Sequence, residues 1–418
     1  MALTKVITGV TDLNQAQSTN GLKFPTGSVF AGTPEEGMIR NDQSQSSETS
    51  SSTMQFYNGT AWKNFVNKTP IPLGSDNFNT VLYTGNSSTQ AITSVGFQPD
   101  FTWIKRRDGT ENHYLQDSVR GSTQQIYSNL INAQFNETTA VTSFSANGFN
   151  MGSYNGINNS SETYVAWSWK AGGAPTATNS GGQTPTLGSK IVDGVASTAN
   201  FATSTSYPLR QSVNSSAGFS ITTITKSATN IPLEVPHGLN SPPEFIMLKT
   251  TSSSDDWSQW QTAIGTGAYL STNRNGGADA ATAGAVYNFT VVNNDIIRNQ
   301  WTNAIRSWVC YAWHSVEGYS KMGSYTGNGS ATGPTIVTGF EPAFVMIKRT
   351  DATANWRILD NKRSTTNPIN KELYPNLTNA EGTFSALDFL SNGFQIINTD
   401  SSYNASGGTY IYMTFAAT

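Results

Sequence analysis

The chain has 418 residues, of which 36% are hydrophobic, 12% charged and 11% aromatic, with a formal net charge of −3. A charged share about half the usual roughly 25%, with no basic run, excludes binding to nucleic acid through clustered Lys and Arg, and the aromatic content excludes an intrinsically disordered chain. A single cysteine, Cys310, excludes an intrachain disulfide and a cysteine-based metal site.

The N-terminal stretch from Met1 to Ile7 lacks a long apolar core and does not read as a signal peptide. No run approaches the ~20 apolar residues of a membrane-spanning helix. The product is expected to stay in the cell that makes it or to leave by assembly or lysis. Residues 1–74 differ in composition from the rest. Gly37 to Asp42 and Thr53 to Val66 read as short strands, and Asn58-Gly59 between Phe56-Tyr57 and Trp62 is a hairpin signal, because type I′ turns need positive φ. The stretch from Gln43 to Thr53 reads as a polar loop, and Lys68 to Gly74, with two prolines, as an extended linker. This region is too short and polar to bury a large core alone and is expected to dock onto sister copies or a larger assembly.

From residue 75 onward one strand phrase occurs three times: Phe97-Gln-Pro99-Asp-Phe101-Thr-Trp103-Ile-Lys105, Ser241-Pro-Pro243-Glu-Phe245-Ile-Met247-Leu-Lys249 and Phe340-Glu-Pro342-Ala-Phe344-Val-Met346-Ile-Lys348. A second phrase follows each: Tyr164-Val-Ala-Trp167-Ser-Trp169, Trp308-Val-Cys-Tyr311-Ala-Trp313 and Tyr410-Ile-Tyr-Met413-Thr-Phe415, starting 59, 59 and 62 residues beyond the Lys. The spacing marks three copies of one module. They cover 75–173, 213–316 and 317–418, with a Gly/Pro/Ser/Thr-rich connector over 174–212. Within the connector, residues 186–212 have some apolar content without a clear period, and strands added to a module edge are one reading of them. Modules two and three meet without a linker and are expected to be rigidly coupled; the first is expected to be less so. Gly148-Phe-Asn-Met151 and Gly393-Phe-Gln-Ile396 alternate as half-buried strands, behind the turn signals Ala146-Asn-Gly and Ser391-Asn-Gly. Helical periodicity is nearly absent, although Asn370 to Pro375 has the makings of one helical turn. The fold class is all-β: tandem antiparallel β-sandwiches of jelly-roll or concanavalin-like type, with a small hairpin region in front.

Several phrases resemble a module common in fibre and virion proteins of marine phages: Tyr325-Thr-Gly-Asn-Gly, Thr338-Gly-Phe-Glu-Pro-Ala-Phe-Val-Met-Ile-Lys-Arg-Thr350, Leu373-Tyr-Pro-Asn-Leu, Ala386 to Phe394, and Tyr164-Val-Ala-Trp-Ser-Trp-Lys-Ala-Gly-Gly173. The resemblance covers roughly residues 75–173 and 213–418, and Gly37-Met-Ile-Arg with Tyr57-Asn-Gly-Thr-Ala-Trp-Lys63 is similar to the N-terminal part of many phage fibre proteins. It implies sandwich modules, attachment to other virion proteins (tail or head) through the N-terminal region, and homotrimers. It carries over no catalytic residue, cofactor or membrane insertion.

The three histidines, His113, His237 and His314, occupy no repeated position that also supplies a Ser and an Asp, so nucleophilic catalysis has no constellation. Asp117 and Asp360 both lie 12 residues beyond their Lys, each followed three residues on by Arg120 or Arg363; module two has Gln261 and no Arg there. Such a pair reads as an ion pair pinning a loop, or as a clamp for a sugar hydroxyl. A glycosidase needs a second carboxylate that nothing singles out. Eight residues beyond the Lys stand His113, Trp257 and Trp356, with Trp260 nearby. Near a turn, flat rings stack on sugar faces, so His113, Asp117, Arg120, Trp257, Trp260, Trp356, Asp360 and Arg363 form a candidate ligand set; covered rim-of-core aromatics are the alternative. No Asp-x-Asp-x-Asp cluster supports calcium. Lys105-Arg106-Arg107 and its copy Lys348-Arg349 read as solvated strand ends, and Cys310 as a buried inert thiol.

The expectation is a non-enzymatic virion appendage, a tail fibre by frequency, that contacts host-surface glycan through repeated modules, with avidity from multivalency. The alternatives are a structural head or tail decoration protein without ligand, whose positions 113, 257 and 356 are covered by neighbours, and a polysaccharide depolymerase.

Overall fold

The structure is a computed structural model of the chain, and it describes residues 39–42, 53–57, 60, 62–64, 74–201, 206–226, 228–229, 231–280, 289–291, 296–299 and 305–416. It divides into two units, residues 1–70 and 71–418. In the first, strands Ile39–Asp42, Thr53–Tyr57 and Trp62–Asn64 form an antiparallel sheet in chain order, where the sequence places strands. Residues 43–52 of the polar loop, the Asn58-Gly59 turn and residues 68–73 of the linker lie outside the described residues.

In the second unit each repeat is an antiparallel β-sandwich. Its main sheet is built on four strands in one spatial order, here named opening, closing, phrase and returning, to which modules one and two add further strands. In module one these are Phe78–Thr84, Thr163–Trp169, Phe101–Arg106 and His113–Asp117. In module two they are Phe219–Lys226, Ser307–Trp313, Phe245–Thr250 and Ser258–Gln261. In module three they are Ser320–Thr326, Thr409–Ala416, Pro342–Arg349 and Arg357–Asp360. The two repeated phrases are therefore neighbouring strands. Trp103 lies opposite Trp167, Met247 opposite Tyr311 and Met346 opposite Met413. That pairing accounts for the constant spacing: the same intervening strands must be threaded before the chain returns beside the phrase.

A smaller sheet covers one face of each main sheet: Gln90–Ile92, Val141–Ser145 and Gly148–Met151 in module one, Leu233–Pro236, Phe289–Val291 and Ile296–Asn299 in module two, and Thr335–Val337, Ile369–Glu372, Gly382–Leu390 and Gly393–Ile396 in module three. The Asn-Gly turns fall where expected. Gly148 (φ +147°) and Gly393 (φ +153°) stand in a region that favours glycine, and a Cβ there would collide with the carbonyl oxygens of Ile92 and Ile336.

One expectation needs correction and another holds. Asn370 to Pro375 is not a helical turn, because Ile369–Glu372 pairs with Gly382–Leu390 and Ile369 is buried. The reading of residues 186–212 as strands added to a module edge is borne out. Lys190–Val192, Val195–Ala196 and Ser206–Asn214 extend the main sheet of module two beyond its opening strand, with Lys190–Val192 and Ser206–Asn214 running parallel.

Both faces of each phrase strand are buried, which is why these strands read as near-continuous apolar runs. Alternate residues face outward into a private core under the smaller sheet: Ile104, Tyr164 and Ala166 in module one, Ile246, Leu248, Trp308 and Cys310 in module two, Val345, Ile347 and Tyr410 in module three. The Cys310 thiol is buried there and its pKa is pushed up by that burial. The inward residues of all three modules form one shared cluster, including Phe101, Trp167 and Trp169, Phe245, Tyr311 and Trp313, and Phe344, Met413 and Phe415.

Candidate functional site

The modules close into a ring with the same contacts at each of three seams. Two residues beyond each repeated Lys a backbone carbonyl accepts from the neighbouring module: Thr251 from Gln134 (3.1 Å), Thr350 from Ala278 (2.6 Å) and Arg107 from Glu381 (2.7 Å). Six residues beyond the Lys a backbone N–H returns the bond: Asp255 to Ile131 (2.7 Å), Ala354 to Asn275 (2.8 Å) and Glu111 to Thr378 (2.9 Å). Module two thus leans on one, three on two, and one on three. The arrangement is a pseudo-threefold trimer within one chain.

The repeated aromatic position sits inside these seams. Trp257 Nε1 donates to the Tyr127 carbonyl of module one (2.8 Å), and Trp356 Nε1 to the Ser271 carbonyl of module two (3.0 Å). His113 is the third copy: its Nδ1 accepts from Trp103 Nε1 (2.9 Å), and its Nε2 faces the Tyr374 backbone of module three without close hydrogen-bond geometry. Burial, with Lys105 nearby, holds the His113 pKa well below its ordinary value, so the imidazole is neutral. All three rings are at most 1% exposed. The sugar platform expected at an open loop is therefore not there: the neighbouring module covers each ring. Trp260, 4% exposed, packs in the private core of module two and donates to the Gly265 carbonyl (2.8 Å).

The Asp–Arg pairs are seam groups too. Asp117 Oδ1 accepts from Val119 N (3.0 Å) and Arg120 N (2.7 Å), and Asp360 Oδ1 from Lys362 N (3.1 Å) and Arg363 N (2.8 Å), so each carboxylate pins its own turn. Their Oδ2 atoms pair with Arg120 Nε (2.5 Å) and Arg363 Nε (2.6 Å). Each Oδ2 also reaches the next module: Asp117 accepts from the Tyr311 hydroxyl (2.6 Å), Asp360 from Trp167 Nε1 (2.9 Å). Both carboxylates and both guanidinium groups are buried, with their bonds filled from within the chain. As a ligand set, the eight candidate residues are dispersed among seams and a private core, and no surface cleft gathers them.

A family model described as a domain of unknown function, DUF7483, matches residues 73–206 and 192–418. The chain belongs to this family. No curated protein and no solved structure matches the chain.

In this family member two further repeated positions stand beside the seam residues, and at Lys249 and Lys348 they reach across. The phrase Lys is not solvated. Lys105, Lys249 and Lys348 are fully buried, and their ammonium groups bond backbone carbonyls: Arg106 (2.7 Å) for Lys105, Ile131 (2.8 Å) and Asp255 (2.6 Å) for Lys249, Arg349 (2.7 Å) and Asn275 (3.3 Å) for Lys348. Burial lowers each pKa to about 8. Asn129, Asn273 and Asn376 accept from the backbone N–H of His113 (3.0 Å), Trp257 (3.0 Å) and Trp356 (3.1 Å). These asparagines follow their Lys by 24, 24 and 28 residues, a spacing legible in the sequence had it been sought.

The open surface carries shallow clefts. One of about 440 Å³ lies where module one meets the added strands and is bordered by Asn77, Gln98, Asp100, Lys170, Asp193 and Asn214. Asp100 is raised to about 6, chiefly by burial, while Ser118 Oγ and the N–H groups of Ala171 and Gly173 occupy its oxygens. Another, of about 400 Å³, is bordered by Glu244, Trp260, Thr262, His314 and Ser315. Among the described residues no group of three His, Cys, Asp or Glu is placed to hold a metal ion.

Proposed function

We propose that the chain is a non-enzymatic building block of a virion appendage, with residues 71–418 acting as one rigid body and the N-terminal unit attaching it to other virion proteins. The observation that carries this reading is the aromatic cluster shared by three sandwiches, together with buried Asp–Arg pairs at the seams whose bonds are filled inside the chain. Activated nucleophiles and paired acids need unfilled hydrogen-bonding capacity next to a cleft, whereas these residues spend theirs on holding modules together. The phage assignment rests on the resemblance of the repeated phrases. A homotrimer of such rings forms through surfaces other than the seams, since those faces are occupied.

Contact with host-surface glycan is the second reading. It is favoured by the cleft bordered by Trp260, Glu244 and His314 together with Thr262 and Ser315. A glycan array with the purified full chain, a reducing-sugar assay on host capsule and labelling of intact particles with an antibody to the chain test the proposal together. The expected outcome is particle labelling without sugar release. Particles without label, or release of reducing ends, overturn it. Glycan retention that is lost in Trp260→Ala and kept in Trp257→Ala favours the second reading.

A further inference from the structure

The three seams are alike in backbone but not in side chains, and the differences match across each one. The pair Asp117–Arg120 meets a hydroxyl, because Tyr311 donates to Asp117 (2.6 Å) and accepts from Arg120 (3.2 Å). The pair Asp360–Arg363 meets an indole: Trp167 Nε1 donates to Asp360 (2.9 Å), and the Arg363 guanidinium lies 5.4 Å from the ring centroid. Tyr311 and Trp167 occupy the same place in their closing strands, and the third copy of that place is Met413. A thioether has no proton to give to a buried carboxylate. At the seam that faces module three, the Asp and Arg positions are Gln261 and Ile264. Gln261 turns its amide oxygen to its own Ala263 N–H (2.7 Å). Ile264 packs on the shared cluster beside the opening strand of module three, where Met322 pairs in register with Met413.

We propose that these positions form a recognition code between modules: a donor at 167 or 311 requires an Asp–Arg pair on its neighbour, and Met413 requires Gln–Ile. The physical ground is that a buried carboxylate deprived of one donor costs more than a normal hydrogen bond contributes, whereas an apolar pair of the same shape costs little. The code fixes the order around the ring. In the reversed order Asp117–Arg120 would face Met413, and Gln261–Ile264 would face Trp167, so two of three seams would be mismatched. Module one is the one repeat whose own pair and own donor match each other. The partner such a surface accepts is therefore another module of this family bearing the complementary residue.

The test is a pair of double-mutant cycles in the full chain, read as urea-unfolding equilibria. Tyr311→Phe in the native background is expected to lower the folded-to-unfolded ratio on the order of tenfold, and less than about twofold when Asp117→Gln and Arg120→Ile are already present. The second cycle runs the other way. Met413→Tyr alone is expected to lower stability, and Gln261→Asp with Ile264→Arg to recover it; soluble yield is the readout where a variant does not fold. Equal losses from Tyr311→Phe in both backgrounds, or no recovery of Met413→Tyr, overturn the code.

Discussion

On its inner face each main sheet carries side chains that belong to the whole ring; on its outer face it carries side chains that belong to one sandwich. Trp169 lies within 6.3 Å (ring centroid to centroid) of Phe78 and Phe101 in its own module, Trp313 in module two, and Phe344 and Phe415 in module three. Ile347, equally buried, sees only the private core of module three. The two faces alternate along the same strands, so adjacent residues such as Met346 and Ile347 differ in what they hold together. A duplicated sandwich that keeps its outer face intact remains a sandwich. Its inner face is free to diverge only where the neighbour diverges with it, as at Trp167, Tyr311 and Met413.

The largest effect is expected at the axis. Trp169→Ala should cost about 3–5 kcal/mol, the range for removing a buried large aromatic. Hydrogen exchange should then rise in the closing strands of all three modules. Ile347→Val should cost about 0.5–1.5 kcal/mol and raise exchange in module three alone. If Trp169→Ala loosens module one only, the inner core is not shared and the comparison fails.

Next comes a pH dependence that belongs to the seams. Lys105, Lys249 and Lys348 have folded-state pKa values of about 8 because burial disfavours the charged amine, against roughly 10.4 in an unfolded chain. Between these values the unfolded chain binds more protons, so stability rises as pH increases through the window and is lost again as pH falls through 8. Buried Tyr83, Tyr311 and Tyr403, raised well above 10 by burial, oppose the trend above about pH 10. Urea midpoints are expected to climb from pH 7.5 to 9.5, and Lys348→Met is expected to remove about a third of that slope. A slope unchanged by Lys348→Met would mean that the lysines are not its source.

How much of this was legible in the chain follows from what each residue type can reveal. Repeats, strand phrases and Asn-Gly turns were readable because they depend on local chemistry: Gly148 and Gly393 are required by their own backbone. The Asp–Arg pair was readable as a loop pin because Asp117 binds the N–H groups two and three residues on. The ring was not. Phe101 or Trp169 reads as core whether the core belongs to one module or three, and Trp257 near a strand end reads alike whether its indole meets a sugar or the Tyr127 carbonyl. The phrase Lys misled for a similar reason: a lysine at a strand end is ordinarily solvated, and its burial rests on backbone carbonyls that the fold brings to it, from its own loop and, for Lys249 and Lys348, also from the next module.

The smallest effects test the boundary between seam and surface at two adjacent residues. Asn273 holds the backbone N–H of Trp257 at 3.0 Å and bonds Asp256 at 2.6 Å, so Asn273→Ala should cost about 1–3 kcal/mol by leaving a covered donor unpaired. Arg274 pairs with the same Asp256, but its side chain is 57% exposed. Water screens that pair and solvates the arginine once it is broken, so Arg274→Ala should change stability by less than about 1 kcal/mol, and by less still in added salt. Asp256 keeps its bond from Asn273 in that variant, so the carboxylate is not stranded and the seam is untouched. Urea midpoints for the two variants at low and high salt separate the cases: a loss at Arg274 as large as at Asn273, and independent of salt, would place the ion pair inside the seam and move the edge of the shared core outward.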